Sequence, residues 1–297
     1  MNILILGSEG FIGSHFVNYF LSNGHTVSGC DLIENSDDSY AYQKVSLLSP
    51  DFDTLFLSDK YDVCINAAGS GNVPFSLTHP ISDFEANTMS VAKVLDTIHK
   101  HQPTCRYVHL SSAAVYGNPS RMPITEACDI APLSPYGFHK WMSEILCNEY
   151  FRLYNLPVVI LRPFSVYGER LRKQLFWDIC QKLKDTERIE LFGSGKETRD
   201  FIHVKDLCIL MDKIINQASF KADVYNVASG NEISIRHVAD IFESIMKGNK
   251  KINFSTATKQ GDPLNWKADI SKIQKLGFEA AIPLYDGIHD YIQWCSK

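Results

Sequence analysis

A chain of 297 residues with 45% hydrophobic content can bury a large core and hold up to two structural units. Its 34 acidic residues outnumber 29 Lys and Arg, for a net charge of -5, and no basic stripe or stacking platform is present, which excludes nucleic acid as a partner. The eight cysteines show neither CxxC nor His-rich ligand spacing, so they read as free, mostly buried thiols, with no metal site and no disulfide framework. No apolar run approaches the ~20 residues needed to cross a bilayer. With the first strand beginning at residue 2, a cytoplasmic protein without a cleaved leader and without a membrane partner is expected.

Asn2 to Leu6 reads as a buried apolar strand that runs directly into Gly7-Ser8-Glu9-Gly10-Phe11-Ile12-Gly13, a glycine turn opening a helix. Glycines at 7, 10 and 13 suit a tight turn, close backbone approach to a pyrophosphate, and close packing of helix on strand. The helix amino terminus, around Phe11 and Ile12, would receive the phosphate charge. The spacing is GxxGxxG rather than GxGxxG, and either pattern alone is a weak signal. A second strand, Thr26 to Cys30, ends at Asp31, near the ~20-residue offset of a carboxylate that binds adenosine ribose. That carboxylate would repel a 2′-phosphate, and residues 32–43 contain no Lys or Arg, so NAD is expected rather than NADP.

Residues 61–66 predict a further parallel strand, after which Ala67, Ala68 and Gly69 leave room for a dinucleotide. A helix over about 82–100 carries Asn87, and a strand over 105–111 delivers Ser112. Ser134 and Pro135 then open a helix with Ser at the cap and Pro in the first turn, which puts Tyr136 and Lys140 on one face. A free phenol has a pKa of ~10, and a nearby ammonium would favour its deprotonated form. Ser112 would donate a hydrogen bond to the reacting oxygen. Residues 156–162 form another buried strand, beyond which the pattern loosens until a strand at 224–227.

Strand and helix alternate, which predicts an α/β chain: a Rossmann-type doubly wound parallel sheet with a smaller C-terminal α/β substrate-binding lobe. The expected division is 1–165, rejoined by about 200–228, for the dinucleotide, and 166–199 with 229–297 for the lobe.

The ordered blocks GSEGFIG (7–13), NAAG (66–69), SSAAVYG (111–117), YGFHK (136–140), RPFSVYG (162–168), RDFIHVKD (199–206) and GDP (261–263) resemble the extended short-chain dehydrogenases/reductases of the NAD-dependent epimerase/dehydratase family, end to end. The resemblance implies an enzyme acting on a nucleotide-sugar, with Tyr136 as acid/base, Lys140 on the nicotinamide ribose and lowering the phenol pKa, and Ser112 on the sugar oxygen. It implies Gly7, Gly10, Gly13 and Asp31 at the adenosine half of NAD, Asn87 near the cofactor, and Arg199 on the substrate diphosphate. Ser165 and Asp262 would complete the substrate side. It further implies a homodimer through the helices at about 82–100 and 135–154.

Departures from the family pattern decide the reaction. Family members that dehydrate the sugar resemble one another in placing Asp and Glu directly after the catalytic hydroxyl, where this chain has Ala113 and Ala114, so elimination lacks its proton carriers. Epimerisation at C4 of a UDP-hexose through a transient 4-keto sugar is favoured, with an NAD(P)H-dependent 4-keto-6-deoxyhexose reductase as the alternative. A dinucleotide sensor without activity is disfavoured by the intact Ser112, Tyr136 and Lys140. Ser165 stands where many epimerases have Asn, Lys259 and Gln260 stand where Arg is often found, and Ser46-Leu47 replaces an adenine-facing pair. Arg170, Arg172 and Lys173 are candidates for a compensating phosphate contact.

Overall fold

Residues 3 to 6 are almost fully buried because their strand lies inside a wholly parallel sheet covered on both faces, the setting in which continuous apolar runs are stable. The computed structural model describes residues 1–35, 37–46, 51–246, 248–256 and 263–297. Its strands are β1 (Asn2–Leu6), β2 (Thr26–Asp31), β3 (Ala41–Lys44), β4 (Val63–Asn66), β5 (Arg106–Leu110), β6 (Val158–Pro163), β7 (Ser165–Tyr167), β8 (Arg188–Leu191), β9 (Thr198–His203), β10 (Lys221–Val227), β11 (Glu232–Ser234) and β12 (Lys251–Phe254). Seven of them form the central sheet in the order β10-β6-β5-β4-β1-β2-β3, every pairing parallel. The chain reverses direction across the sheet between β1 and β4, so a ligand crevice is expected beyond the carboxyl ends of these two strands.

One face is covered by the helices Phe11–Ser22 and Val204–Gln217, which bury Phe16, Phe20, Leu207 and Met211 against the sheet. The other carries Phe52–Ser58, Ser90–His101 and Pro135–Tyr154, with Leu95, Ile98 and Cys147 in its core. The lobe has its own core, where helices Gln174–Asp185, Ile235–Ile245 and Leu284–Cys295 enclose Phe176, Phe242 and Tyr291. Two small sheets support it, β11-β9-β7 and β12-β8.

The helix expected over about 82–100 starts earlier and is not uniform. Pro80–Phe84 is α-helical, Glu85–Met89 is a π turn, and Ser90–His101 resumes the α-helix. Such a turn commonly marks a functional site, and this one carries Asn87. The helix Pro135–Tyr154 begins as its sequence predicts: the Ser134 hydroxyl accepts from the Gly137 N–H at 3.3 Å, and Pro135 occupies the first turn. It ends on Asn155 in the left-handed conformation, φ 56°. All eight cysteines are free thiols, seven of them buried. Among the described residues no helix is long and apolar enough to cross a membrane.

Candidate active site

The glycine turn fits the end of β1 with almost no space to spare. Gly7 has φ +77°, and the N–H groups of Gly7 and Ser8 both donate to the Cys30 carbonyl, at 2.8 and 3.2 Å. A Cβ on Gly7 would lie 2.7 Å from the Ala68 nitrogen, and one on Gly13 only 2.0 Å from the Gly7 carbonyl oxygen. Gly10 caps the helix that begins at Phe11, leaving that helix's first N–H groups without a side-chain cap. Phe11 packs on the lobe core and edge-on to His15, while Ile12 packs on the sheet. Asp31 closes β2, accepting from the N–H groups of Glu9 at 3.0 Å and Leu32 at 2.6 Å, so its carboxylate also holds the turn in place.

At the end of β4, the Ala68 N–H donates to Asn66 Oδ1 at 3.1 Å, and Gly69 has φ +123°. A Cβ on Gly69 would come within 2.6 Å of Asn87 Oδ1. The Asn87 amide donates to the Ser70 carbonyl and to Asp83 Oδ1, each at 3.1 Å, whereas its Oδ1 is buried with no donor among the described residues. A backbone cradle that any Cβ would fill, together with this unsatisfied carbonyl oxygen, fits a dinucleotide lying across β1 and β4.

Ser112, Tyr136 and Lys140 come together beside it. Ser112 follows β5 in extended backbone and caps the short turn Ala113–Val115, its Oγ accepting from the Ala114 N–H at 3.1 Å. Its hydroxyl also hydrogen-bonds the Tyr136 phenol. Burial pushes that phenol up to about 12, the Ser112 bond opposing and the Asp83 carboxylate adding to the rise. Lys140 is buried at 6% exposure, and its ammonium donates to the Leu110 carbonyl at 2.9 Å. The expectation that Lys140 lowers the phenol pKa is therefore corrected for the protein by itself: the ammonium is spent on Leu110, and desolvation dominates at Tyr136.

Lys140 itself is held down to about 8 by burial, against the pull of Asp83 and Glu144. Against an ordinary 10.5, keeping the charge inside at neutral pH costs about 3 kcal/mol. Lys140→Met removes that cost and strands the Leu110 carbonyl, a loss of ~1–2 kcal/mol. The variant should be more stable than wild type by about 1–2 kcal/mol in urea denaturation at pH 7, and inactive. Between about pH 8 and 10.5 the unfolded wild type keeps a proton that the folded protein has lost, so its stability climbs with pH. The variant's advantage should shrink across that window; an advantage that stays flat with pH would contradict the buried charge.

Behind the trio lies a polar scaffold that sequence reasoning missed. His139 Nδ1 pairs with Asp83 Oδ2 at 2.6 Å, and the Thr88 hydroxyl donates to the His139 carbonyl at 2.9 Å, tying the π turn to the catalytic helix. Arg162 of β6 forms two bonds to Glu144, at 2.9 and 2.6 Å, and Ser111 donates to the same carboxylate. No local motif marks these residues, since each partner is distant in the chain; a charged residue inside an apolar strand, Arg162, was the one available signal.

On the lobe side, Ser165 begins β7, pairing in register with Phe201 of β9. Arg199 of β9 lies over the Trp266 ring at 5.7 Å and donates to the carbonyls of Thr198, at 2.8 Å, and Leu264, at 3.2 Å. Its neighbour Asp200 is fully buried and serves the backbone, accepting from Ser229, Gly230 and Ala268, with burial pushing it up to about 6. Asp206 likewise accepts from the N–H groups of Ala281 and Ile282. Asp262, with Leu47, Lys259, Gln260 and Gly261, lies outside the described residues.

The three candidate cations separate. Arg172 lies over Trp294 at 5.7 Å, Arg170 lines a hollow of about 180 Å³ with Ser8, Glu9, Asn35 and Tyr40, and the Lys173 ammonium reaches Gly71. A hollow of about 390 Å³ between Tyr167, Phe201, Asn231 and Ile282 shares no lining residue with the trio, so size does not locate the chemistry.

A parallel doubly wound sheet, a glycine turn at its switch point, and a Ser-Tyr-Lys set beside that turn define a dinucleotide-dependent enzyme of the short-chain dehydrogenase/reductase type. The chain belongs to the NAD dependent epimerase/dehydratase family, whose model matches residues 3–228. It is 28% identical over 316 residues, covering 100% of this chain and 98% of the relative, to an uncharacterized UDP-glucose epimerase of Bacillus subtilis. It is similar in structure to the UDP-glucuronic acid 4-epimerase of Bacillus cereus in complex with UDP-glucuronic acid and NAD, with a TM-score of 0.91, 27% identity, and coverage of 100% of this chain and 99% of that one. The fold is shared with a UDP-N-acetylglucosamine 4-epimerase of Methanobrevibacter ruminantium M1, TM-score 0.90 at 23% identity, covering 99% and 97% of the two chains.

Proposed function

We propose that the chain is an NAD-dependent nucleotide-sugar 4-epimerase acting on a UDP-hexose. The observation that carries this reading is the Ser112–Tyr136 hydrogen bond beside the glycine turn, with Ala113 and Ala114 where a dehydratase would need carboxylates. When bound, NAD supplies the hydride acceptor and a positive charge that favours tyrosinate. Gly7, Gly10, Gly13, Phe11, Ile12, Asp31, Ala67, Ala68, Gly69 and Asn87 would hold it, Asp31 at the adenosine ribose and Asn87 at the nicotinamide side.

Tyr136 takes the proton from the C4 hydroxyl and returns it when the 4-keto sugar is reduced on its other face. Ser112 holds the C4 oxygen and keeps it within reach of the phenol in both directions. Lys140 orients the nicotinamide ribose, for which its ammonium leaves the Leu110 carbonyl. Arg199, Ser165 and Asp262 bind the nucleotide-sugar, the guanidinium suiting its diphosphate. The two stretches 1–165 and about 200–228 form the cofactor unit, and 166–199 with 229–297 the substrate lobe.

Phe138, Met142, Ile145 and Leu153 are between 40% and 66% exposed along one helix, and Ile81 beside them is 70% exposed. Such a stripe supports a homodimer through the helices around 80–101 and 135–154. Eight free cysteines support a reducing, cytoplasmic setting, and the reading places the enzyme in carbohydrate metabolism, in the supply of sugars for polysaccharides.

Incubating purified protein with a panel of UDP-sugars, without added cofactor, and separating the C4 epimers tests the proposal. Interconversion by the protein as purified is the expected result. Turnover that needs stoichiometric NAD(P)H would make it a reductase instead.

A further inference from the structure

Lys173 is placed where a cation has no structural purpose. The segment that carries it leaves β7 and is pinned at Leu171, which is 3% exposed and whose carbonyl accepts from the Tyr291 hydroxyl at 2.6 Å. From that anchor the segment sends two side chains to the glycine turn: Arg170 lines the hollow beside Ser8 and Glu9, and Lys173 reaches over the end of β4. A Cβ on Gly71 would lie 3.2 Å from the Lys173 ammonium nitrogen. Among the described residues no carboxylate or carbonyl is recorded as its partner, although the residue has solvent on its outer side.

Desolvation holds its pKa below the ordinary lysine range, and its charge bears on Lys140, whose own pKa it helps to lower. Two ammonium groups thus face one crevice, a net positive field that only an anion relieves. The topology identifies which anion. Gly71 follows β4, and the crevice between β1 and β4 is the point where a doubly wound sheet holds the diphosphate of a dinucleotide. The glycine turn offers N–H groups from β1's side; Lys173 offers a charge from the opposite side, out of the lobe.

We propose that Lys173 is a cofactor-binding residue supplied by the substrate lobe, its ammonium taking a phosphate oxygen of the dinucleotide over Gly71. The assignment rests on the reading that NAD is the cofactor. It gives the lobe a direct hold on a cofactor that an epimerase has to retain through every turnover, since hydride removed from one face of the sugar must return to the other. Gly71 is part of the device, because a side chain there would occupy the space the ammonium uses.

The test compares wild type, Lys173→Gln and Lys173→Arg. NAD carried through gel filtration is released by heat and quantified, and calorimetry on stripped protein measures NAD and UDP separately. Loss of a charge-assisted hydrogen bond should weaken NAD binding by about 10-fold to 100-fold in the Gln variant and flatten its salt dependence, with UDP affinity unchanged and Arg restoring most of the NAD affinity. NAD bound as tightly by the Gln variant would overturn the proposal. So would a selective loss of affinity for UDP-glucuronate over UDP-glucose, which would mean that the charge reads a sugar carboxylate, or an equal loss of NAD and UDP, which would mean a displaced loop. A wild type that binds no NAD at all would overturn the cofactor reading and this assignment with it.

Discussion

Tyr136→Phe is expected to lower kcat by about 10²–10⁴-fold while the protein keeps its NAD, its fold and a near-normal affinity for UDP-sugars. The phenol oxygen is the atom removed, and its recorded side-chain partner is Ser112, so phenylalanine fills the same space with the loss of one hydrogen bond. Burial pushes the phenol up to about 12, so desolvation alone would leave tyrosinate at roughly one part in 10⁵ at pH 7, and the field of the bound cofactor has to make up the difference. Wild-type activity should therefore rise with pH toward a plateau set by the phenol in the complex. The Phe variant should show a flat profile over the same range. A variant that epimerises at more than a tenth of the wild-type rate, or that keeps the wild-type pH dependence, would remove Tyr136 from the proton path. Cofactor content measured on the same samples separates lost chemistry from lost NAD.

The central sheet was legible in the sequence because each buried parallel strand is a short continuous apolar run bounded by glycine or a polar turn, as at 2–6 and 158–161. The catalytic helix announced itself through Ser134 and Pro135, a local cap that forms as its residues specify. The π turn at 85–89 left no such mark. Its cause is tertiary: Asn87 must face Gly69 while Asp83, one turn back, reaches His139, and a regular helix of that sequence has no reason to widen there. Periodicity also could not separate Arg170, Arg172 and Lys173, three cations within four residues that end in three different places. The resemblance covered the chain's chemistry, but the direction of the Lys140 ammonium toward Leu110 depends on burial that only coordinates reveal.

Glu144→Ala is expected to destabilise the protein by about 3–5 kcal/mol, because it leaves the Arg162 guanidinium buried at 5% exposure with its counter-charge gone. Arg162 would keep Tyr116, whose hydroxyl it meets at 2.8 Å, but a phenol cannot neutralise a charge. The Ser111 hydroxyl loses its acceptor in the same step. Breaking a buried pair costs far more than never having one, so Glu144→Met combined with Arg162→Leu should recover stability to within about 1 kcal/mol of wild type or exceed it, measured by urea denaturation. Activity is the second readout. Ser111 immediately precedes Ser112, and Glu144 sits one turn beyond Lys140 on the same helix, so the pair fixes the strand end that carries the hydroxyl against the helix that carries phenol and ammonium. If that positioning is its purpose, the double variant should be stable yet reduced about 10-fold or more in kcat, with KM little changed. A double variant with full stability and full kcat would make the ion pair purely structural. A Glu144→Ala protein that loses under 1 kcal/mol would show that the guanidinium finds water or another partner, and the tie between β6 and the catalytic helix would have to be sought in apolar packing.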